Sequence, residues 1–311
     1  MHILVTNDDG PPSYQSSPYV QSLVTELQAA GHEVSVILPD TQRSWIGKAH
    51  MVGQTLTPKY YRPGTLLKDD GKHSATPFGD GQEEWVLVDG TPASCTQLGL
   101  HHVFQDRPPF DILVSGPNYG RNTTALFALS SGTLGGAMEG AVNGMKSIAL
   151  SYAFDSRDHD VDIITEASKL SVRLIEKFAT EWADDVHVYS INVPVRKGVT
   201  NNKIVYTEMI QNQWSSGSSF QAMAGDEEDA DPNKEEAKIR EQKQLNGEAV
   251  SDNPRRKQVT YKWAPQFQDV RTAVENAKSG DGWEVSQGNV SVTPLRANFW
   301  HLPQYKGEIK L

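Results

Sequence analysis

The first ten residues place a run of branched apolar side chains directly before a polar cluster. Ile3-Leu4-Val5 is followed, after one threonine, by Asn7-Asp8-Asp9-Gly10. Short apolar runs of this kind are typical of a parallel strand that is buried on both faces. Ligands bind beyond the carboxyl ends of such strands, and a hard divalent cation relieves the repulsion between adjacent carboxylates. The same polar residues are also typical of a simple turn. The stretch alone therefore leaves a turn and a metal site equally open.

The residues that follow predict that this strand belongs to a parallel sheet. Apolar residues recur at helical spacing over 18–30, Gly31 ends that helix, and 33–38 is a second apolar strand. Strand, helix and strand in this order form a βαβ unit, which requires a parallel sheet and a right-handed crossover. We therefore predict an α/β fold, a Rossmann-like three-layer sandwich with a mostly parallel sheet. Further strands are predicted at 85–88, 111–115, 147–152 and 186–193. Helices are predicted at 92–102, 131–144 and 160–183. The helix at 131–144 is rich in glycine, which would let it pack closely on the sheet.

The alternation of strands and helices stops near residue 196, which divides the chain. We predict a catalytic core over 1–195. A protruding, β-rich segment over 196–288 would follow, with an acidic insert at about 225–253. Residues 289–311 would supply a last strand and a tail that pack back on the core. In the middle segment we predict strands at 203–210 and 258–263 and a short helix at 269–278.

Charge and cysteine content exclude several classes of protein. Lys plus Arg is 29 and Asp plus Glu is 39, which gives a net charge of −10. This balance argues against stable nucleic-acid binding, which requires a basic surface. The single cysteine, Cys95, cannot form an intrachain disulfide and suits a reducing compartment. We see no secretory leader and no stretch near ~18 apolar residues. We therefore expect a cytoplasmic protein without a membrane partner.

Four polar segments are predicted to meet at the carboxyl edge of the sheet. They are 7–10, 43–50, 116–122 and the helix start at 131–133. Each has an ordinary alternative, because asparagine and serine are common in turns and helix caps and surface lysines are usually solvated. Their convergence on one edge favours a site. Carboxylates, an amide oxygen and a hydroxyl suit a divalent cation, and a helix start suits a phosphate. Arg43, Lys48 and Arg121 would supply positive charge for an anionic group.

Seven stretches together carry a resemblance to a known family. They are ILVTNDDG at 3–10, PDTQRS at 39–44, VDGTPASC at 88–95, DILVSGPNYGRN at 111–122, SGTLGGAMEGA at 131–141, INVP at 191–194 and VSVTPL at 290–295. In this order they resemble the SurE family (survival protein E), which are metal-dependent 5'/3'-nucleotidases and acid phosphatases. The form RSWIGKA at 43–49 is similar to the fungal branch of that family.

The resemblance implies a set of site residues and an assembly. One divalent cation per subunit, Mg²⁺ or Mn²⁺, would be surrounded by Asp8, Asp9, Ser44 and Asn118. The family's C-terminal hairpins imply a homodimer or homotetramer. Two departures from the family pattern are Pro117, which stiffens its loop, and Trp45, which would narrow the pocket or stack on a base. The catalytic residues would be Asp8, Asp9 and Asn118, and the phosphate of a small phosphorylated substrate would meet Ser44, Lys48, Gly120, Asn122, Ser131, Gly132 and Thr133.

These residues predict hydrolysis of nucleoside monophosphates by a metal-activated water. The general acid stays open, and His50 is a candidate only by its place in the loop. An aspartyl-nucleophile phosphatase is disfavoured because its two acids are separated by one residue, whereas Asp8 and Asp9 are adjacent. A non-catalytic nucleotide-binding module is disfavoured because Pro11 and Pro12 follow Gly10 in place of a glycine-rich loop. A scaffold member of the same fold is the remaining alternative.

Overall fold

The computed structural model describes residues 1–223, 260–299, 303–304 and 306–309. The strands are β1 (His2–Thr6), β2 (Glu33–Pro39), β3 (Lys59–Arg62), β4 (Lys72–Ser74), β5 (Trp85–Val88), β6 (Ile112–Tyr119), β7 (Ser147–Phe154), β8 (Val188–Val195), β9 (Ile204–Tyr206), β10 (Phe220–Met223), β11 (Thr260–Trp263) and β12 (Val290–Leu295). The α-helices are α1 (Val20–Ala29), α2 (Pro92–Leu98), α3 (Ala125–Ser130), α4 (Gly132–Val142), α5 (Val161–Thr180), α6 (Gln268–Asn276) and α7 (Asp281–Ser286).

Ten of these strands form one sheet, in the order β4-β3-β5-β2-β1-β6-β7-β8-β12-β9. The six strands from β5 to β8 are parallel. Antiparallel pairings join β3 to β5 at one side and β12 to β8 at the other. The predicted α/β class with a mostly parallel sheet is therefore confirmed. β1 lies between β2 and β6, where the strand order changes direction, and such positions are the usual ligand sites of open α/β sheets.

Helices cover both faces of the sheet, which gives the three predicted layers. Side chains alternate along β1, so Ile3 and Val5 join the apolar cluster that includes α1 and α5. Leu4 joins the opposite cluster, which includes residues of α2 and α4. All three side chains are fully buried. Full burial of each contributes roughly 1.5–3 kcal/mol to folding. The end of β1 is therefore held rigidly between two packed layers.

The glycine-rich helix α4 lies unusually close to the sheet. A Cβ atom at Gly136 would lie 2.7 Å from Ser115 Oγ, and one at Gly140 would lie 2.6 Å from Ser147 Oγ. These separations are too short for any larger side chain. The contact between helix and sheet therefore outweighs the low helix propensity of glycine. The predicted helix is confirmed over Gly132–Val142.

Strand β6 runs further than the sequence predicts. We expected a loop from 116 to 122, but the strand continues to Tyr119. Its pairing with β7 is irregular between Ser115 and Asn118, and Pro117 lies within this irregularity. A proline is tolerated in a central strand at such a point because no ladder hydrogen bond is required there. Asn118 is therefore fixed by the sheet rather than carried on a loop.

The C-terminal part is divided between the core and a separate hairpin. β12 inserts between β8 and β9 in the main sheet. Within the predicted segment 196–288, β9 joins the same sheet and α7 packs on β8 and β12. Only β10 and β11 form their own two-stranded sheet. The predicted acidic insert at 225–253, with its acidic run at 226–231, lies outside the described residues. None of the helices described is long and apolar enough to span a bilayer.

Candidate active site

The turn after β1 is fixed by the side chain of Asn7. Its Oδ1 accepts a hydrogen bond from the Gly10 backbone N–H (2.9 Å), and its Nδ2 donates to the Gly10 carbonyl (2.9 Å). Gly10 has a φ of +84°, which is the left-handed region that glycine adopts at little cost. Asn7 is therefore a turn residue, and the turn holds the two aspartates between it and Gly10 in place.

Both aspartates are buried and hydrogen-bonded. Asp8 is 2% exposed and Asp9 is 1% exposed. Asp8 Oδ1 accepts a hydrogen bond from the Thr133 hydroxyl at 2.7 Å. Asp9 Oδ2 accepts from the Tyr119 N–H at 2.5 Å, and Oδ1 accepts from Gln42 Nε2 at 3.3 Å. The carboxylates of the turn are thus oriented from helix α4, from the end of β6 and from the loop after β2.

Asn118 presents an oxygen from the end of β6. Its Nδ2 donates to the Gly120 carbonyl at 2.7 Å. The amide nitrogen is therefore occupied, and the side-chain oxygen is the atom that remains to coordinate a cation. Asn118 is 8% exposed. Gly120 N–H in turn donates to the Tyr152 carbonyl (3.1 Å), so Gly120 supports Asn118 and does not contribute that N–H to a phosphate.

One cleft brings together several of the predicted site residues. It lies at the carboxyl ends of β1 and β6 and is partly open to solvent, with about 340 Å³ of empty space counted up to the open side. Its lining residues are Asp8, Ser44, Trp45, Asn118, Tyr119, Arg121, Asn122, Phe127, Ser130 and Ser131. Asp9 lines a neighbouring cleft of about 620 Å³ with Asp40, Asp69 and His73. The turn therefore places its two carboxylates at the border of two clefts.

The predicted phosphate-binding helix start is present, but its residues have different roles. Ser131 caps α4 by accepting a hydrogen bond from the Leu134 N–H at 3.1 Å, and it lines the cleft. The first N–H groups of α4 have no acceptor within the helix, which suits an anion. The Thr133 hydroxyl is used by Asp8. Gly132 lies against Asp8, because a Cβ atom there would be 2.7 Å from Asp8 Cβ.

Asn122 is held by its neighbours at the same edge of the sheet. Its N–H donates to Asn192 Oδ1 at 2.8 Å, and its Nδ2 donates to Ser151 Oγ at 2.9 Å. Neither Asn192 nor Ser151 is among the predicted site residues. Asn192 could have been found from the sequence, because INVP at 191–194 places a polar residue inside an otherwise apolar, buried strand.

Lys48 and His50 are not among the residues that line the cleft. Lys48 Nζ lies 2.5 Å from Glu139 Oε2, and His50 Nε2 lies 3.4 Å from the same oxygen. Burial of Glu139 opposes its ionisation, but hydrogen bonds from Gln97 and Lys48 outweigh burial and lower its pKa. Lys48 therefore neutralises a buried carboxylate, which differs from the predicted contact with phosphate. The position of His50 gives no support for its role as the general acid.

Two aromatic side chains form a second wall of the cleft, called here the aromatic wall. Trp45 and Phe127 line it, with their rings edge-on at a centroid distance of 5.5 Å. Trp263 and Phe267 from the C-terminal part pack on Trp45 at 4.7 and 5.6 Å. Trp45 therefore forms part of the cleft wall, and the expectation that it narrows the pocket or stacks on a base stays a prediction. Its backbone φ is +65°, a region that costs a non-glycine residue roughly 1–2 kcal/mol.

A buried carboxylate from α7 holds the loop behind this wall. Asp281 is 1% exposed. Its oxygens accept hydrogen bonds from the backbone N–H groups of Thr124 (2.8 Å), Ile210 (3.1 Å) and Gly282 (2.7 Å). Burial raises the pKa of Asp281, although these hydrogen bonds oppose the increase. Three distant parts of the chain are thus joined at one side chain that the sequence did not identify.

The donor set of the cleft fits a hard divalent cation. Asp8, Ser44 and Asn118 contribute carboxylate, hydroxyl and amide oxygens to the same cleft, and Asp9 is adjacent in the turn. Oxygen ligands of this kind are typical of Mg²⁺ and Mn²⁺ sites. Among the described residues no group of three or more His, Cys, Asp or Glu residues forms a metal-binding cluster. A cation here would therefore depend on the neutral oxygens and on water.

Comparison with known families agrees with the predicted resemblance. The family described as "Survival protein SurE" matches residues 3–216. This chain belongs to the SurE family. The SurE protein from Aquifex aeolicus has the same fold, with a TM-score of 0.62, 24% identity, and coverage of 96% of this chain and 95% of that chain.

Two relatives of this chain carry different names. "5'-nucleotidase SurE" of Ruegeria pomeroyi is 33% identical over 201 residues, which cover 62% of this chain and 68% of that protein. "Probable tubulin--tyrosine ligase PBY1" of Saccharomyces cerevisiae is 30% identical over 342 aligned residues. That alignment covers all of this chain but 43% of the yeast protein, so this chain spans less than half of its relative. The yeast match agrees with the predicted similarity to fungal members.

Proposed function

We propose that this chain hydrolyses phosphomonoesters, with nucleoside monophosphates as substrates, as a 5'/3'-nucleotidase or acid phosphatase. The observation that carries the proposal is the single cleft lined by Asp8, Ser44, Asn118 and Ser131. These residues combine ligands for a hard cation with a helix start that suits phosphate. The names of the bacterial SurE relatives support the same activity. The proposal includes one divalent cation per subunit, Mg²⁺ or Mn²⁺.

Each residue has a defined part in this reaction. Asp8, with the side-chain oxygens of Asn118 and Ser44, would hold the cation, and Asp9 would add negative charge and orient the end of β6 through Tyr119. A bound cation would neutralise phosphate charge and make water a better nucleophile. The N-terminus of α4 at Ser131 would bind phosphoryl oxygens. The aromatic wall would keep bulk water from the reacting phosphate, which strengthens the electrostatic interactions inside the cleft.

The test is phosphate release by the full chain from a panel of 5'- and 3'-nucleoside monophosphates, short polyphosphate and p-nitrophenyl phosphate. We expect activity that EDTA abolishes and that Mn²⁺ or Mg²⁺ restores. Asp8→Asn is expected to remove the activity. The matched control is Asp106→Asn, since Asp106 is an exposed aspartate away from the cleft. Full activity in the presence of EDTA would contradict the proposal.

The same assay separates the alternatives. Nucleotide binding without phosphate release under any metal would support a non-catalytic binding module or scaffold. A trapped phospho-aspartate at Asp8 or Asp9 would support covalent catalysis. We further propose a homodimer or homotetramer that involves the β10–β11 hairpin, and light scattering of the purified chain measures this directly.

A further inference from the structure

Three cationic side chains were candidates for an anion at this edge of the sheet, and the structure separates them. Arg43 forms an ion pair with Asp89. Lys48 forms one with Glu139. Arg121, in contrast, has no carboxylate within ion-pair distance among the residues of ranges 1–223 and 260–299. It is also the only one of the three that lines the cleft with Asp8, Asn118 and Ser131.

The surroundings of Arg121 do not neutralise its charge. Burial lowers the pKa of its guanidinium, and the positive charge of Arg271 on α6 lowers it further. Asp155 and Asp281 act in the opposite direction, but both have other partners. Asp155 pairs with Arg196 at 2.5 Å, and Asp281 accepts three backbone hydrogen bonds. Arg121 is partly buried. A partly desolvated cation is costly without a counter-charge, so an anion that enters the cleft would lower this cost.

The backbone on both sides of Arg121 is fixed. Gly120 N–H donates to the Tyr152 carbonyl, and Asn122 N–H donates to Asn192 Oδ1. Two residues further on, Thr124 is held by Asp281. The backbone that carries Arg121 is therefore fixed on both sides. Little backbone entropy is lost when its side chain binds a ligand.

We propose that Arg121 binds the phosphate of the substrate in the cleft that it lines with Asp8 and Asn118, and that it is the cationic phosphate ligand of this site. The planar guanidinium can donate two parallel hydrogen bonds to two phosphoryl oxygens. Its charge favours the dianionic phosphate of a monoester over the monoanionic phosphate of a diester. The identity of the substrate in this inference rests on the proposed function. The choice of Arg121 rests on its place in the cleft and on the ion pairs that engage Arg43 and Lys48.

Equilibrium binding of inorganic phosphate to the full chain, measured by calorimetry with and without Mn²⁺, tests the inference without turnover. We expect Arg121→Gln to weaken phosphate binding by ~10–100-fold, the range for a charged hydrogen-bonding group. Arg121→Lys retains the charge but loses the planar fork, so a smaller loss is expected. Mn²⁺ affinity should not fall in either variant. The matched control is Arg173→Gln, which changes an exposed arginine of α5, and phosphate affinity should stay at the wild-type value.

The outcomes separate this inference from the proposed function. If Arg121→Gln binds phosphate within about twofold of wild type, or if the wild-type chain binds no phosphate, the inference is wrong even when ester hydrolysis is intact. If phosphate binding depends on Arg121 but no ester is hydrolysed, the inference holds and the proposed activity fails. Circular dichroism checks the fold of each variant. Arg121→Met keeps the apolar stem without the charge and replaces Arg121→Gln in the test if that variant does not fold.

Discussion

The two walls of the cleft differ in where their structural support comes from. The oxygen-lined wall consists of Asp8, Asn118 and Ser131, and it is built on β1, β6 and α4 of the parallel core. The aromatic wall consists of Trp45 and Phe127. Its packing partners include Trp263 of β11, Phe267, and Val270 of α6, which lie beyond the family match at 3–216.

This difference in support predicts different effects of substitutions on the reaction and on phosphate affinity. The oxygen-lined wall lies at strand ends of the parallel sheet, where ligands usually bind in α/β proteins, and it is held by contacts within the core. The aromatic wall depends on long-range contacts with a segment that the SurE family match does not include. We therefore expect substitutions in the first wall to remove the reaction, and substitutions behind the second wall to change stability and phosphate affinity.

The largest effect is expected from the carboxylates of the oxygen-lined wall and its turn. Asp8→Asn and Asp9→Asn should each lower metal-dependent phosphate release by roughly 10³-fold, as expected for loss of a major electrostatic element. Both variants should remain folded, because the amide keeps the size of the side chain. Phosphate release at saturating Mn²⁺ and a thermal melt measure the two effects. Near-wild-type rates in both variants would show that the oxygen-lined wall does not carry the reaction.

The next effect concerns the support of the aromatic wall. Asp281→Ala leaves the N–H groups of Thr124, Ile210 and Gly282 without this acceptor. Each buried, unsatisfied group costs about 1–3 kcal/mol. Relief of carboxylate desolvation offsets part of this cost, so we expect a loss of about 3 kcal/mol in the free energy of unfolding. Urea titration measures it, with the exposed Asp106→Ala as control. A change below about 0.5 kcal/mol would show that α7 does not hold the loop.

A single methyl group tests how closely α4 must approach the oxygen-lined wall. In Gly132→Ala the new Cβ would lie 2.7 Å from Asp8 Cβ and 2.9 Å from Asp8 Oδ2. Asp8 must move, and a displacement near 1 Å costs up to about 10²-fold in rate. We expect a loss of ~10–100-fold in turnover. Gly90→Ala is the control, because no atom would lie nearer than 3.4 Å to its Cβ. Equal rates in the two variants would contradict the close contact.

Two substitutions at Trp45 measure the backbone strain in the aromatic wall. Trp45→Ala and Trp45→Gly both remove the ring from its contacts with Phe127, Trp263 and Phe267. Only glycine adopts the φ of +65° without a steric cost. We expect the glycine variant to unfold with a free energy about 1 kcal/mol above that of the alanine variant. Urea titration of the pair measures the difference. An alanine variant as stable as the glycine variant would show that the position is not strained.

The smallest effect is a pH dependence near α6. Burial acts to raise the pKa of Asp269, but hydrogen bonds from the side chains and N–H groups of Ser215 and Ser216 outweigh it and lower the pKa to about 2. Since the folded-state pKa is lower than the unfolded value of 3.8, this stabilisation is present above pH 4. It is lost as the pH falls from 4 towards 2. The stability difference between wild type and Asp269→Asn should therefore shrink over that interval. A constant difference would contradict the assignment.

Much of the fold could be predicted because its signals are local. The strand before Asn7, the βαβ unit and the glycine-rich helix each follow from periodicity within a short stretch. Local signals were insufficient at β6. A loop was predicted over 116–122, but the strand continues to Tyr119 through an irregularity in its pairing with β7. Local signals were also insufficient at α7, which was not predicted. A strand end is decided by its neighbours in the sheet, and those neighbours are distant in sequence.

The sequence by itself determined that Asp8 and Asp9 follow a buried strand and that oxygen ligands and cations occur at one sheet edge. Only the tertiary structure decided which groups are already used. Lys48 and Arg121 carry the same charge in neighbouring segments of that edge, yet Lys48 is paired with Glu139 while Arg121 lines the cleft. The physical reason is that the availability of a charge depends on its burial and on its partners. Residue type alone fixes neither of these.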